Sequence, residues 1–189
     1  IASSRLPGAT GSATLMDQPS YRRDSSNDRL RAMRVLVTGA SGYIGGRLVP
    51  VLLEAGHEVR CMSRDPKRLE LDPWRTAVEV VGGDALRPDT LDAALQGCDV
   101  AYYLIHSMYG RDRFSAQDRS AARNFAAAAQ RSGLGRIIYL GGLGSDQDAL
   151  SEHLRSRHEV GRILASGAVP VTELRAAVII GSGSVSFEM

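Results

Sequence analysis

From residue 34 onward, short runs of aliphatic residues alternate with longer stretches in which apolar residues recur every three or four positions. The short runs are apolar at consecutive positions, which is typical of parallel strands covered by helices on both faces. Six strands are predicted, at Arg34–Thr38, Glu58–Met62, Val78–Val81, Val100–Leu104, Arg136–Leu140 and Val171–Leu174. Helices are predicted between them, near residues 43–55, 66–71, 88–96, 115–131 and 151–165. This alternation predicts an α/β fold with a doubly wound parallel sheet in a three-layer α/β/α arrangement.

Helix boundaries are marked by residues that favour helix ends. Ser115 and Ser151 are predicted N-caps, because a serine hydroxyl can accept a hydrogen bond from a free amide of the first turn. Glycine is predicted to end four helices, at Gly56, Gly97, Gly133 and Gly167. Pro50 conflicts with the pattern, since a proline inside a helix removes an amide donor and bends the helix.

Residues 1–32 differ from the rest of the chain. They are rich in Ser, Arg, Gly and Asp and have no apolar period, so we predict a disordered tail before one domain at 33–189. No apolar run approaches the roughly 18 residues of a membrane helix. The net charge of +2 is too small to indicate a nucleic-acid partner.

Cysteine usage indicates a reducing compartment. The chain has two cysteines, Cys61 and Cys98, without metal-ligand spacing around them. A structural zinc site needs about four ligands, so no metal site is predicted. Two unpaired thiols are typical of a cytoplasmic protein, where they act as small buried hydrophobes.

A glycine-rich turn joins the first predicted strand to the first predicted helix, in the segment VLVTGASGYIGG. Gly39 permits the tight turn out of the strand, Gly42 lets a ligand approach the backbone, and Gly45 lets helix and strand pack closely. The free amides at the helix start can then bind a pyrophosphate. This context predicts a Rossmann-type dinucleotide site. The residues assigned to it are Gly39, Ser41, Gly42, Tyr43, Ile44 and Gly45.

The end of the second strand discriminates between the two nicotinamide dinucleotides. An acidic residue at this position would bind the ribose 2′-hydroxyl of NAD. The chain instead has Ser63 followed by Arg64, a hydroxyl and a guanidinium suited to a 2′-phosphate. Asp65 precedes Pro66 and is interpreted as a helix N-cap. NADP is therefore favoured, with NAD as the alternative; a solvated basic face is the other interpretation of the arginine.

The glycine turn, the Gly83-Asp84-Ala85 turn after the third strand and the order of elements resemble the atypical and extended branches of the short-chain dehydrogenase/reductase superfamily. The resemblance covers residues 34–181. The chain is particularly similar to a bacterial branch of NAD(P)-binding proteins that are akin to NmrA-type sensors and to the dinucleotide-binding accessory subunit of respiratory complex I. The resemblance implies that Asp84 and Ala85 contact the adenine, and that Leu104 and Ile105 line the adenosine and its ribose. Asp84 can equally be a turn or cap residue.

The catalytic pair of that superfamily is absent. Its members carry Tyr-xxx-Lys on the helix after the fifth strand, where this chain has His153 and Arg157. Lys67 is the only lysine, so no realignment restores the pair. The resemblance leaves two interpretations: an active reductase or epimerase/dehydratase-type enzyme that uses His153 or His106 as the proton donor, with Arg157 on the ribose, or a non-catalytic redox sensor or assembly protein.

The resemblance also bears on partners. It implies a small substrate lobe after the last strand, which we expect to be largely missing here, so the small-molecule substrate is not predicted. The alanine-rich face of 115–131, with Ala121, Ala122, Phe125 and residues 128–129, offers either a homodimer contact or packing against the sheet.

Overall fold

A computed structural model describes residues 32–106, 112–144 and 151–181 of the chain. Six parallel strands form one sheet: β1 (Arg34–Thr38), β2 (Glu58–Ser63), β3 (Glu79–Gly82), β4 (Val100–Tyr103), β5 (Arg136–Gly142) and β6 (Val171–Ala176). Four α-helices accompany them: α1 (Tyr43–Glu54), α2 (Pro88–Leu95), α3 (Asp112–Ser132) and α4 (Glu152–Ala165). The strand order is β3-β2-β1-β4-β5-β6, which confirms the predicted Rossmann-type sheet.

The helices divide the core into two apolar layers, one on each face of the sheet. On one face, α2, α3 and α4 pack over Tyr103 of β4 and Tyr139 of β5, and Phe125 of α3 belongs to the same cluster. On the other face, α1 packs over β1 and β2. Within the described residues no helix covers β5 and β6 on this second face, where the side chain of Leu174 is 51% exposed.

The carbonyl that Pro50 leaves without a donor inside α1 finds a hydrogen-bond donor elsewhere in the chain. Pro50 lies inside α1, and a proline has no amide to donate to the carbonyl four residues earlier, which belongs to Gly46. The indole of Trp74 donates its Nε1–H to that carbonyl at 3.2 Å. Trp74 is 8% exposed. The segment between β2 and β3 is therefore joined to α1 through the acceptor that the proline leaves unpaired.

Several predicted boundaries change in the structure. The helix predicted at 66–71 is a short 3₁₀ turn at Pro66–Leu69, followed by a second 3₁₀ turn at Arg75–Ala77 that the pattern did not predict. Ser115 lies inside α3, so it is not an N-cap. Ser151 does cap α4, since its hydroxyl accepts from the Leu154 amide at 3.3 Å.

Further boundary changes concern the strands. β4 ends at Tyr103, one residue before the predicted end, whereas β5 and β6 each run two residues further than predicted. The predicted tail at 1–32 lies outside the described residues except for Ala32.

The alanine-rich face of α3 is occupied within the chain. Ala122, Phe125, Ala128 and Ala129 are each 0% exposed and belong to the core over the sheet. This face therefore packs against the sheet within the chain. In the described part of the chain, no helix combines the length and the apolar character needed to cross a bilayer.

Candidate functional site

The glycine turn is held by steric constraints at two of its glycines. Gly39 has a φ of 72°, a left-handed conformation that side chains disfavour. A Cβ at Gly45 would collide with the carbonyl oxygen of Gly39 and would lie 2.7 Å from the Cα of Ala40. The first turn of α1 therefore approaches the end of β1 more closely than any side chain would allow.

Gly42 differs from Gly39 and Gly45 because it is exposed to solvent. A Cβ there would meet only the Gly39 carbonyl oxygen, at 3.2 Å, and the residue is exposed. Gly42 is also the N-cap of α1, with no side-chain cap, so the amides of Tyr43, Ile44 and Gly45 have no acceptor within the helix. Three donors at the positive end of a helix dipole, beside a position without a side chain, make a cradle for an anion.

A groove of about 640 Å³ borders the outer side of the turn, between α1 and residues 72–74. Ser41, Arg47, Asp72 and Trp74 line it. The guanidinium of Arg47 stacks on the Tyr43 ring at 3.8 Å from the centroid. The sequence pattern did not predict this groove, because its far wall belongs to the irregular segment between β2 and β3.

The end of β2 presents an arginine to solvent. The Ser63 hydroxyl donates to the Asp65 carbonyl at 2.8 Å and accepts from the Asp65 amide at 3.3 Å, so it closes a turn. The Asp65 carboxylate accepts from the Lys67 amide at 3.1 Å and caps the 3₁₀ turn, as predicted. Arg64 is exposed, and no hydrogen bond joins its guanidinium to another residue that the structure describes.

The Asp84-Ala85 turn follows β3 and is fixed from two helices. The Asp84 carboxylate accepts from the Leu86 amide at 3.0 Å, and the Thr90 hydroxyl of α2 donates to the Asp84 carbonyl at 3.1 Å. Asn124 of α3 donates to the Ala85 carbonyl at 3.0 Å. Asp84 is thus a turn residue, and Asn124 is a supporting residue that the sequence reasoning missed.

Thr38 connects β1 to β4, the two strands at the centre of the sheet. The strand order changes direction between them, since β2 and β3 follow on the far side of β1, whereas β5 and β6 follow on the far side of β4. The buried Thr38 hydroxyl donates to the Tyr102 carbonyl at 2.9 Å and accepts from the Leu104 amide at 3.1 Å. This holds Leu104 beside Gly39, since a Cβ at Gly39 would lie 3.2 Å from the Leu104 carbonyl oxygen, and Ile105 is the next residue of the chain. Open α/β sheets bind ligands at such a point.

Two histidines meet at the carboxyl ends of the strands. His106 follows β4, and His153 lies in the first turn of α4. Their ring centroids are 6.1 Å apart, with an interplanar angle of 65°. Both residues are partly exposed to solvent, but partial burial and the charge of Arg157 lower the pKa of each imidazole below its usual value. Both proton-donor candidates from the sequence therefore belong to one cluster.

Tyr139 lies beside this cluster but is a structural residue. Its hydroxyl donates to the Arg157 backbone carbonyl at 2.8 Å, and the Arg157 guanidinium carbon lies 5.5 Å from the ring centroid. Burial raises the pKa of the phenol to about 12. The phenol therefore stays protonated at neutral pH and supports α4.

Comparison with known proteins gives a family. Residues 39–178, more than half of the chain, match the model of a family described as NAD(P)H-binding. A 3-beta-hydroxysteroid dehydrogenase of Mycolicibacterium neoaurum is 34% identical over 134 residues, 66% of this chain and 34% of that protein. A 3 beta-hydroxysteroid dehydrogenase/Delta 5-->4-isomerase of Mycobacterium tuberculosis is 36% identical over 116 residues, 56% of this chain and 30% of that protein. The chain thus spans about a third of the length of these relatives.

Among solved structures, the triphenylmethane reductase of Citrobacter sp. complexed with NADP(H) superposes with a TM-score of 0.66. It is 22% identical, and the match covers 77% of this chain and 50% of that one. At this identity the likeness establishes the fold alone, which is Rossmann-type.

Proposed function

The chain belongs to the NAD(P)H-binding family, and we propose that its glycine turn binds the pyrophosphate of NADP(H) in preference to NAD(H). The observation that carries the proposal is the cradle at the start of α1. Three first-turn amides have no acceptor within the helix, and Gly42 leaves the space beside them open. A diphosphate supplies the negative charge and the acceptor oxygens that these donors need.

The preference for NADP(H) rests on the end of β2. Arg64 offers an exposed guanidinium, which binds a phosphate through two parallel hydrogen bonds. The carboxylate of Asp65, the residue after Arg64, is committed to capping the following turn. The Ser63 hydroxyl stabilises the turn that exposes Arg64. We also assign Ser41, which lies on the glycine turn, to the cofactor site.

The adenosine half of the cofactor is assigned to the two neighbouring strand ends. Asp84 and Ala85 form a turn already rigid through its hydrogen bonds to α2 and α3, so little ordering is lost when adenine binds. Leu104 and Ile105 supply apolar surface for the adenosine and ribose. These assignments predict that Asn124→Ala weakens binding without touching the cofactor.

Calorimetric titration with NADPH and NADH tests the proposal. Gly42→Val should abolish binding of both, because the added side chain fills the cradle. Arg64→Asp should weaken NADPH binding by tenfold or more and leave NADH binding nearly unchanged. Arg123→Asp, a charge-matched change at an exposed position of α3, is the control. Equal losses for both dinucleotides in Arg64→Asp would exclude the 2′-phosphate assignment, and unchanged binding in Gly42→Val would exclude the site.

A second candidate function is an active NADPH-dependent reductase or epimerase/dehydratase-type enzyme. The observation that favours it is the convergence of His106 and His153 next to Arg157. NADPH oxidation with carbonyl, quinone and flavin acceptors, repeated on His153→Phe, separates it from a sensor or assembly protein. Turnover that the variant loses supports the enzyme; tight binding without turnover supports the non-catalytic role.

The names of the relatives suggest the class of the whole protein, an NAD(P)-dependent oxidoreductase with a small-molecule substrate. We assign it to the cytoplasm, because both cysteines are buried as free thiols.

A further inference from the structure

The two histidines of the cluster come from elements that the chain brings together only by folding. His106 leaves the end of β4, and His153 begins α4 after β5, the strand next to β4 in the sheet. Their rings meet edge to face at 6.1 Å between centroids. Arg157 follows His153 by four residues, which places both on the same side of α4. A small polar group between the strand ends can therefore contact both imidazoles and lie near a guanidinium.

The protonation state of the two imidazoles depends on their burial and on the charges around them. Arg157 of α4 lowers the pKa of both, in addition to the larger effect of burial. Asp118 of α3 acts in the opposite direction on both, and the Leu104 backbone does so on His106. The net direction is downward for each ring. Both imidazoles are therefore neutral near pH 7, when an imidazole accepts a proton more readily than it donates one.

We propose that His106 and His153 act as one proton-accepting pair for the hydroxyl group of an alcohol substrate. The inference rests on the proposed function, since it needs the oxidised dinucleotide on the glycine turn. In the reaction the O–H bond breaks, its proton passes to an imidazole nitrogen, and the C–O bond becomes a carbonyl. NAD(P)⁺, when bound, supplies the oxidation by taking the hydride of the carbinol carbon.

Arg157 has a separate role in this arrangement. Its positive charge keeps the imidazoles neutral before the reaction and stabilises the oxygen while that oxygen loses its proton. The guanidinium is placed by Tyr139, which binds the Arg157 backbone and lies under the guanidinium. Arg157 thus replaces the lysine of the superfamily in position, with a different effect on its neighbours.

The first test measures the histidines themselves in the full-length protein, without substrate. Proton NMR of the imidazole C2–H signals, assigned with His106→Asn and His153→Asn, gives both titration midpoints. We expect both below the ordinary value, a rise in both in Arg157→Gln, and a rise of the remaining histidine in each asparagine variant. Midpoints at or above the ordinary value, or independent of one another, would overturn the pair.

The second test uses NADP⁺ with 2-propanol, cyclohexanol, benzyl alcohol and a 3β-hydroxysteroid, following absorbance at 340 nm against pH. Oxidation should increase with pH and level off by neutral pH, because the neutral imidazole is the acceptor. Each asparagine variant should be about 100-fold slower. The double variant should be no slower than either single one, since the residues act as a unit. His57→Asn, near the opposite end of the strands, is the control.

The outcomes separate this inference from the proposal on which it rests. Absence of NADP⁺ binding by calorimetry contradicts the proposed function. Binding without oxidation of any of the four alcohols, or a rate that falls as pH rises, overturns only the proton-accepting pair. Multiplicative losses in the double variant show two independent histidines and overturn it as well.

Discussion

The half of the sheet formed by β1, β2 and β3 and the half formed by β4, β5 and β6 use different means to build a site. In the first half the groups offered to a ligand are backbone amides, and the decisive residues are glycines whose missing side chains allow close approach. In the second half the groups are side chains, two imidazoles and a guanidinium, brought from separate elements. A backbone site is encoded locally, whereas a side-chain site depends on how distant segments meet.

The halves also differ in how they are covered. Around β1 and β2, apolar layers lie on both faces of the sheet. In the described chain, β5 and β6 have helices on one face only, and Ile138 and Leu140 are half-buried on the other. Substitutions in the first half should therefore affect folding and dinucleotide binding together, while substitutions in the second half should separate them.

The largest effect is expected at the contact between α1 and β1. Gly45→Ala places a methyl group against the Gly39 carbonyl and the Ala40 backbone, so the free energy of unfolding should fall by about 3 kcal/mol and NADPH binding should be lost. Urea denaturation and calorimetry measure the two. The matched control is Gly46→Ala, whose methyl group would lie an ordinary 3.6 Å from the Ala40 carbonyl oxygen. Equal losses in both variants would contradict the role of this contact.

A smaller effect is expected at the hydrogen bond from the Trp74 indole to the Gly46 carbonyl, which Pro50 leaves without a donor inside α1. Trp74→Phe removes the donor to the Gly46 carbonyl and some buried surface, so it should destabilise the protein by about 2 kcal/mol. In a Pro50→Ala background the loss should shrink by about 1 kcal/mol, because an amide at position 50 then satisfies the carbonyl. Additive losses in the double-mutant cycle would show that proline and indole are not coupled.

The second half of the sheet gives the contrasting result. Tyr139→Phe removes a buried hydroxyl that donates to the Arg157 carbonyl at 2.8 Å, which should reduce the free energy of unfolding by about 1 kcal/mol. NADPH affinity should not change, because the hydroxyl lies away from the glycine turn. Denaturation and calorimetry on the same preparation check both statements. A loss of NADPH affinity comparable to that of Gly45→Ala would contradict the proposed difference between the two halves of the sheet.

The smallest effect concerns pH. The folded-state pKa values of His106 and His153 lie below the usual value near 6.5, so the unfolded chain takes up protons first as the pH falls. The free energy of unfolding should therefore decrease below about pH 6.5, until the folded histidines are also protonated. Urea denaturation at pH 7.5, 6.5 and 5.5 should show a shallower decrease for His106→Asn/His153→Asn. A steeper decrease would mean that the sign is wrong.

The difference between the halves also explains what the sequence could predict. The glycine turn was predictable because its glycines stand at a recognisable spacing within seven residues, between one strand and one helix. The helix predicted at 66–71, after Asp65, was wrong in type and length. The N-cap and the proline at its start are those of a helix, but Pro73 disfavours helical geometry at the residue before it, and the chain forms two short turns instead.

Contacts between distant residues carried weaker signals. The missing amide at Pro50 indicated an unpaired carbonyl, but nothing local pointed to Trp74 as its partner. The proximity of His106 and His153 was implied in part by the strand order, since the ends of adjacent parallel strands meet at one edge. The support of Ala85 by Asn124 had no sequence signal, because an asparagine in a helix has many possible partners.

The indole bonded to α1 has a practical consequence. Trp74 is the only tryptophan in the chain, and it lines the groove beside Ser41 and Gly42. Its ultraviolet emission therefore originates from one known place, the groove that borders the phosphate cradle. Titrating the unlabelled protein with a dinucleotide in a fluorimeter should change that emission, so the chain carries its own optical reporter of occupancy.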